Sequence, residues 1–357
     1  GEHTGYGISY ERVRVRFPLQ LQADGLCLTR DRDTLVWIDR VRTDMLPRTL
    51  LEGYVSLPYL QVDNVVIHTG TWMPSVEIDA ALQHLRLEEI TYRWEQRALQ
   101  LHDISMDDAA VAVVQGTTTK RDSTAKGKLP LTVRTDKARM THIKIRYTAP
   151  RWELSSTVRA LSTGRLAADT LASIQLYSTI LQEGMMQLAS TGREQRQVEL
   201  SDIAIHADSL SVTADGVSGV LRQFAFSEAH GLTLEEARAR VDIGDGRMSI
   251  PYFALRTEDS DISGHLHTSA HGAREVNGYA TGRIGDDDMQ HLAALWPQRI
   301  GEFASLYPKV PLTFEVVAEG PIEAIRVNRC HVASPTVFEA DVSGMVKGLP
   351  GMGTLDI

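Results

Sequence analysis

The chain has 357 residues, 43% hydrophobic, 23% charged and only 6% aromatic, so it can bury an aliphatic core over one or two domains. A formal charge of −9 excludes a broad nucleic-acid face, which needs a basic surface. An apolar ligand such as a lipid stays open. Cys27 and Cys330 lie far apart and outside any metal-type spacing, so they read as two small buried apolar residues. No apolar run reaches the roughly 18 residues of a membrane helix. The chain opens on Gly1 and stops at Ile357 inside an alternating pattern, and is read as a segment of something longer.

Residues 12 to 22 alternate without a break. Val13, Val15, Phe17, Leu19 and Leu21 take the odd positions, while Arg12, Arg14, Arg16, Gln20 and Gln22 take even ones. A period of two predicts one strand with one apolar and one solvated face. The arginines could suit an anionic headgroup, but the wet face of a strand is the preferred reading. Asp24-Gly25 reads as a turn, and Leu35 to Val41 as a strand. A short helical turn is expected near 47–53, with Pro47 early and Gly53 just past the end. Strands then resume from Tyr54 to His68 and from Val76 to Tyr92, where Leu85, Leu87 and Ile90 slip in parity. Trp94 to Val114 reads as two strands around a turn at Asp107-Asp108. Residues 115–128, rich in Thr, Lys and Gly, read as a mobile loop.

Further strands are expected from Leu131 through Val158. Residues 166–188 fit helix or strand, and strand is preferred. Strands follow from Val198 to Phe226. Residues 231 to 267 form the clearest unit. Leu232 and Leu234, then Ala237, Ala239, Val241 and Ile243, then Met248 and Ile250, are apolar on alternate positions. Across Pro251 the parity changes to Phe253 and Leu255, which predicts a bulge or an edge. Ile262 and Leu266 continue the face. After Val276 to Ile284, the residues near 286–307 show helical spacing and an acidic start, Asp286-Asp287-Asp288. Strands return from Leu312 onward. The fold expected is mostly β: an elongated antiparallel β-groove of repeated meander units with one helical insertion. Its parts are residues 1–114, the loop 115–128, central repeats over 129–284, the insertion 285–308 and further strands over 309–357.

Little chemistry stands out. His265, His267 and His271 could gather a metal only if the chain curled back, and a solvated face is preferred. The three consecutive aspartates lack the alternating oxygen spacing of a calcium loop and read as a helix start. No nucleophile elbow, zinc-protease helix, dinucleotide or phosphate loop occurs. Neither enzyme activity, a cofactor nor a metal is expected.

Three passages carry a resemblance. Phe17-Pro18-Leu19 leads through Leu50-Leu51-Glu52-Gly53 to Val55-Ser56-Leu57-Pro58-Tyr59-Leu60-Gln61-Val62. Gly231-Leu232-Thr233-Leu234 is followed by Leu255-Arg256-Thr257-Glu258-Asp259-Ser260. Tyr307-Pro308-Lys309-Val310-Pro311-Leu312 precedes Glu319-Gly320. Together they resemble the periplasmic AsmA/TamB-like superfamily, in particular the TamB-like proteins of Bacteroidota. That resemblance implies a taco-shaped sheet with a hydrophobic groove that carries phospholipid between the inner and outer membranes. It also implies periplasmic localisation, an inner-membrane anchor preceding this segment, and an Omp85-type outer-membrane partner. The groove is expected to be lined by Val13, Val15, Phe17, Leu19, Leu21, Leu232, Leu234, Val241, Ile243, Met248, Ile250, Phe253, Leu255, Ile262 and Leu266. The alternatives are a factor for outer-membrane barrel assembly and a structural or adhesive array of β-sandwiches.

Overall fold

The computed structural model describes residues 6–17, 19–30, 33–45, 48–69, 76–115, 132–170, 173–190, 197–213, 215–269, 275–295, 301–302, 304–321, 324–335 and 337–347. Of the expected loop 115–128, Gln115 is instead the last residue of a strand and the rest lies outside these residues, as do His271 and the chain end beyond 347. The chain divides into two compact units, Gly1–Ile203 and Ala204–Ile357.

The first unit holds β1 (Tyr6–Ser9), β2 (Arg12–Arg16), β3 (Gln20–Arg30), β4 (Asp33–Asp44), α1 (Arg48–Leu51), β5 (Val55–His68), β6 (Val76–Arg93), β7 (Ala98–Gln115), β8 (Thr132–Ala149), β9 (Trp152–Thr163), β10 (Arg165–Thr170) and β11 (Ser173–Ser190). Strand β12 (Gln197–Val212) contains the division between the units. Consecutive strands from β2 to β7 pair antiparallel, a meander. Strands β1 and β2 both pair with β3. They meet at Gly25, whose φ of +65° and contact with the Glu11 side chain leave no room for a Cβ. Strands β9 and β10 likewise lie end to end between β8 and β11, separated by Gly164.

Three expectations change. Residues 12 to 22 are not one strand but a hairpin, with Val15 opposite Leu21 and Arg16 opposite Gln20. A three-residue connection keeps odd positions on one face of both arms, so alternation cannot tell a straight strand from this hairpin. Phe17, 99% exposed, and Leu19 therefore stand at a turn and not on the sheet. Asp107-Asp108 is not a turn between two strands. It bends one continuous strand, β7, at the positive φ of Asp108. Finally, β7 and β8 pair in parallel, where a pure meander was expected.

The second unit holds β13 (Gly216–Glu228), β14 (Thr233–Gly244), β15 (Arg247–Thr257), β16 (Asp261–Thr268), β17 (Glu275–Ile284), α2 (Asp286–Leu295), β18 (Leu312–Pro321), β19 (Ala324–Ser334) and β20 (Phe338–Lys347). All pairings from β13 to β20 are antiparallel between sequence neighbours. The parity change at Pro251 is a bulge. Arg240 faces Tyr252 and Asp242 faces Ser249, so β15 carries one residue more than β14 there.

Helix α2 begins where the sequence places it, with three aspartates in its first turn. Asp288 is buried and accepts hydrogen bonds from the hydroxyls of Thr257 and Ser260. Ser260 in turn accepts from the Gly285 amide at 3.0 Å. The helix is thereby tied to the β15–β16 turn. Met289, Ala304 and Tyr307 form a small core against Ile284 and Leu312. The Tyr307 hydroxyl donates to the Ile284 carbonyl at 2.9 Å.

Candidate functional site

In each unit the register collects the apolar side chains on one face. Cross-strand partners share a face, so the pairings can be followed from strand to strand. In the first unit one such line runs Val13, Ala23, Val41, Val62, Leu85, Met106, Met140, Leu161 and Leu181. It crosses nine strands without a polar residue. A line in the second unit runs Leu221, Ala239, Phe253, Gly264, Ala280, Val316, Cys330 and Val342. Beside it lie Leu255, Ile262, Gly282, Phe314 and Val332.

Of the residues expected to line a groove, Val13, Val15 and Leu21 share the apolar face of the first unit. Val241, Ile243, Met248, Ile250, Phe253, Leu255, Ile262 and Leu266 share that of the second. Leu234 reaches the same face through a register shift beside Glu236, which pairs it with Thr257. Leu232 precedes β14. Phe17 and Leu19 do not join the line. Sequence reading missed Leu85, Met106, Leu161 and Leu181 as members of it, because each strand changes parity along its length.

Those changes of parity are organised. In the first unit the pairings Asp63–His84 and Val65–Leu82 flank Asn64 and Gln83. Equivalent flanking pairs bracket Asp108, His142, Arg159 and Glu183. These six residues thus stand at one level on six strands. Four of them, Asn64, Asp108, His142 and Glu183, have φ between 51° and 54°. A second level includes Glu89 and Ser178, both at φ 50°. Each inserted residue adds length on the polar face, as in the consecutive polar pairs Gln83-His84 and Asp107-Asp108. Ala138, Ile143, Val158 and Leu101 are buried to under a tenth exposure, although the extensive contacts of the unit run between hydrogen-bonded neighbours and from α1 to β5. A shallow cleft of about 460 Å³ on this sheet includes Ile67, Ala80, Val111 and Ile145.

In the second unit the apolar face is floored by small residues. Gly264, Gly278, Ala280 and Gly282 lie between Phe253 and Leu255 on one side and Phe314 and Val316 on the other. Among the described residues, the core of α2 covers the Ile284–Leu312 end. Val217, Ile243, Leu255 and Val342 stay more than a third exposed. Both cysteines are free thiols and half-buried rather than buried.

The polar face carries titratable clusters that the sequence did not single out. Asp107 accepts from the Thr141 hydroxyl and lies 2.9 Å from the His142 ring, with Asp108 at 4.0 Å. The Thr141 bond, then that of His142, holds the Asp107 carboxyl below its usual range. His68 pairs with Asp79, whose hydrogen bond and charge raise the His68 pKa. These are the two groups among the described residues with three side chains close enough to meet one cation. His265 and His267 are not among them. His265 stacks on Tyr279, and His267 meets the Ser249 hydroxyl at 2.9 Å. A cleft of about 620 Å³ opens beside His267, Asn277, Glu319 and Arg326. Its polar lining belongs to the face opposite the apolar line.

No family model matches the chain, and no curated protein matches it. Among the described residues, no helix is long and apolar enough to cross a membrane.

Proposed function

We propose that the apolar face of each unit holds the acyl chains of phospholipid, as part of a bridge-like lipid-transfer protein. The observation that supports this most is the unbroken apolar line across nine strands. Burial of methylenes yields about 0.8 kcal/mol each and has no direction, so such a face holds a chain without fixing it. The resemblance to the AsmA/TamB-like superfamily supports the same reading. It adds the periplasm, an inner-membrane anchor and an Omp85-type partner to the proposal.

Lipid extraction and native mass spectrometry of the purified chain test it. Phospholipid is expected to co-purify. Val15→Asp, Val241→Asp and Leu255→Asp, all at half-buried or exposed positions of the apolar face, are expected to reduce the bound lipid while leaving the β signal in circular dichroism. A lipid-free protein would sink the reading. One observation favours barrel assembly as the second reading. Among the described pairings, β20 pairs only with β19, leaving an edge that a nascent strand could extend. That reading expects unchanged lipid content and defective barrel insertion when β20 is altered.

A further inference from the structure

The polar face of the first unit contains a feature that acyl-chain binding does not use. The line of residues adjacent to the apolar one places Arg14 on β2, Arg42 on β4, Arg86 on β6 and Arg139 on β8. Between them stand Gln22, Gln61 and Ser105. Arginine thus recurs on every second strand, and no carboxylate interrupts the line. With strands about 4.8 Å apart, the guanidinium stems repeat at about 10 Å over about 29 Å.

The neighbouring lines do contain acids, but these already have partners. Asp24 takes Arg40 at 3.2 Å and Gln22 at 2.8 Å. Asp44 accepts from the Tyr59 hydroxyl at 3.2 Å. Asp63 is held by Gln61 and His84. Among the described residues, Arg14, Arg42 and Arg139 have no carboxylate within ion-pair distance. Arg86 pairs with Glu88 at 2.7 Å and sits over the Tyr59 ring. A cleft of about 560 Å³ joins Arg14, Arg42 and Arg86. In the second unit Arg238, Arg256, Arg283 and Arg329 each meet a glutamate or aspartate. On a chain of net charge −9, a line in which three of four arginines lack an ion-paired acid among the described residues is a departure that a solvated face does not require.

We infer that this line is a binding track for phosphate groups presented in series. The planar guanidinium fork matches phosphate oxygens in pairs. Repeated sites on one line favour a ligand with several phosphates over a single one, because each later contact is intramolecular. Between the charges Gln22 and Gln61 turn their amides to Asp24 and Asp63, and Ser105 adds a neutral hydroxyl. The phosphates can belong to a soluble chain or to lipid headgroups. The track lies on the face opposite the proposed acyl-chain groove and stands or falls independently of it.

The test uses the full chain, with linear polyphosphate, orthophosphate and vesicles of phosphatidylcholine with or without phosphatidic acid. Calorimetry is expected to show polyphosphate binding that weakens with salt and exceeds orthophosphate binding by at least about tenfold. Changing Arg14, Arg42, Arg86 and Arg139 together to Gln is expected to weaken it at least about tenfold. Changing Arg238, Arg256, Arg283 and Arg329 together to Gln removes equal charge and is expected to leave it within about twofold. Arg14→Gln alone, on an exposed edge strand, gives an intermediate loss and guards against misfolding of the fourfold variant. Vesicle flotation that requires phosphatidic acid and competes with polyphosphate assigns the track to headgroups. Polyphosphate binding without flotation assigns it to a soluble ligand. Equal losses in both fourfold variants, or no polyphosphate binding at low salt, overturn the inference.

Discussion

At the scale of single residues, the best-defined polar anchors hold the helical insertion in place. Tyr307 is buried beneath α2, and burial raises its hydroxyl from the ordinary 10.0 up to about 12. A folded-state pKa above the unfolded one means that the proton is held more tightly in the folded chain. The stabilisation is then fully present below pH 10.0 and is lost as pH rises towards about 12. Alkaline unfolding of the wild type should therefore steepen above the lower of these values. Tyr307→Phe keeps the ring but removes both the titration and the bond to Ile284, so its unfolding midpoint should be lower at neutral pH and less sensitive to alkali. Denaturant titrations at neutral and alkaline pH check this. Asp288 acts in the same place without a special sequence signal. Its role depends on Thr257 and Ser260, 31 and 28 residues away, and a reading of local spacing assigns it only to the start of a helix.

At the scale of the element, the bends decide how strands were legible. Alternation identified nearly every strand, because a sheet with one wet face leaves a period of two in the sequence. It failed where two geometries share that period, as in the hairpin at Phe17, and where one strand changes parity midway, as at Asp108. An aspartate pair suits both a turn and a left-handed kink, and only the partner strands distinguish them. The kink at Asp108 (φ 54°) is expected to respond to substitution by backbone preference. Asp108→Gly should keep or slightly raise the urea midpoint, since glycine enters this region freely. Asp108→Val should lower stability by about 1–2 kcal/mol. If both substitutions prove equally costly, the side chain and not the backbone accounts for the position. Pro251 was legible for the opposite reason, since it marks its own bulge by lacking an amide.

At the scale of each unit, the apolar face was visible strand by strand, but its continuity was not. Val41, Val62 and Leu85 look like ordinary strand residues until the register sets them in one line. The arginines at 14, 42, 86 and 139 are likewise too far apart in sequence to suggest a row. Both features arise from pairings that no local window contains. The aligned insertions of the first unit have a further consequence, for how such a sheet can change its length. A substitution at Asp108 alters one side chain, but removal of Asp108 would shift every later residue of β7 by one. Ala109, Val111 and Val113 would then turn to the polar face, and Ala110 and Ala112 would replace them on the apolar one. The sheet is thus a reading frame written across strands, open to exchange of letters and closed to the loss of one. Deletion of Asp108 should accordingly abolish soluble folded protein where Asp108→Gly does not, as measured by yield and circular dichroism.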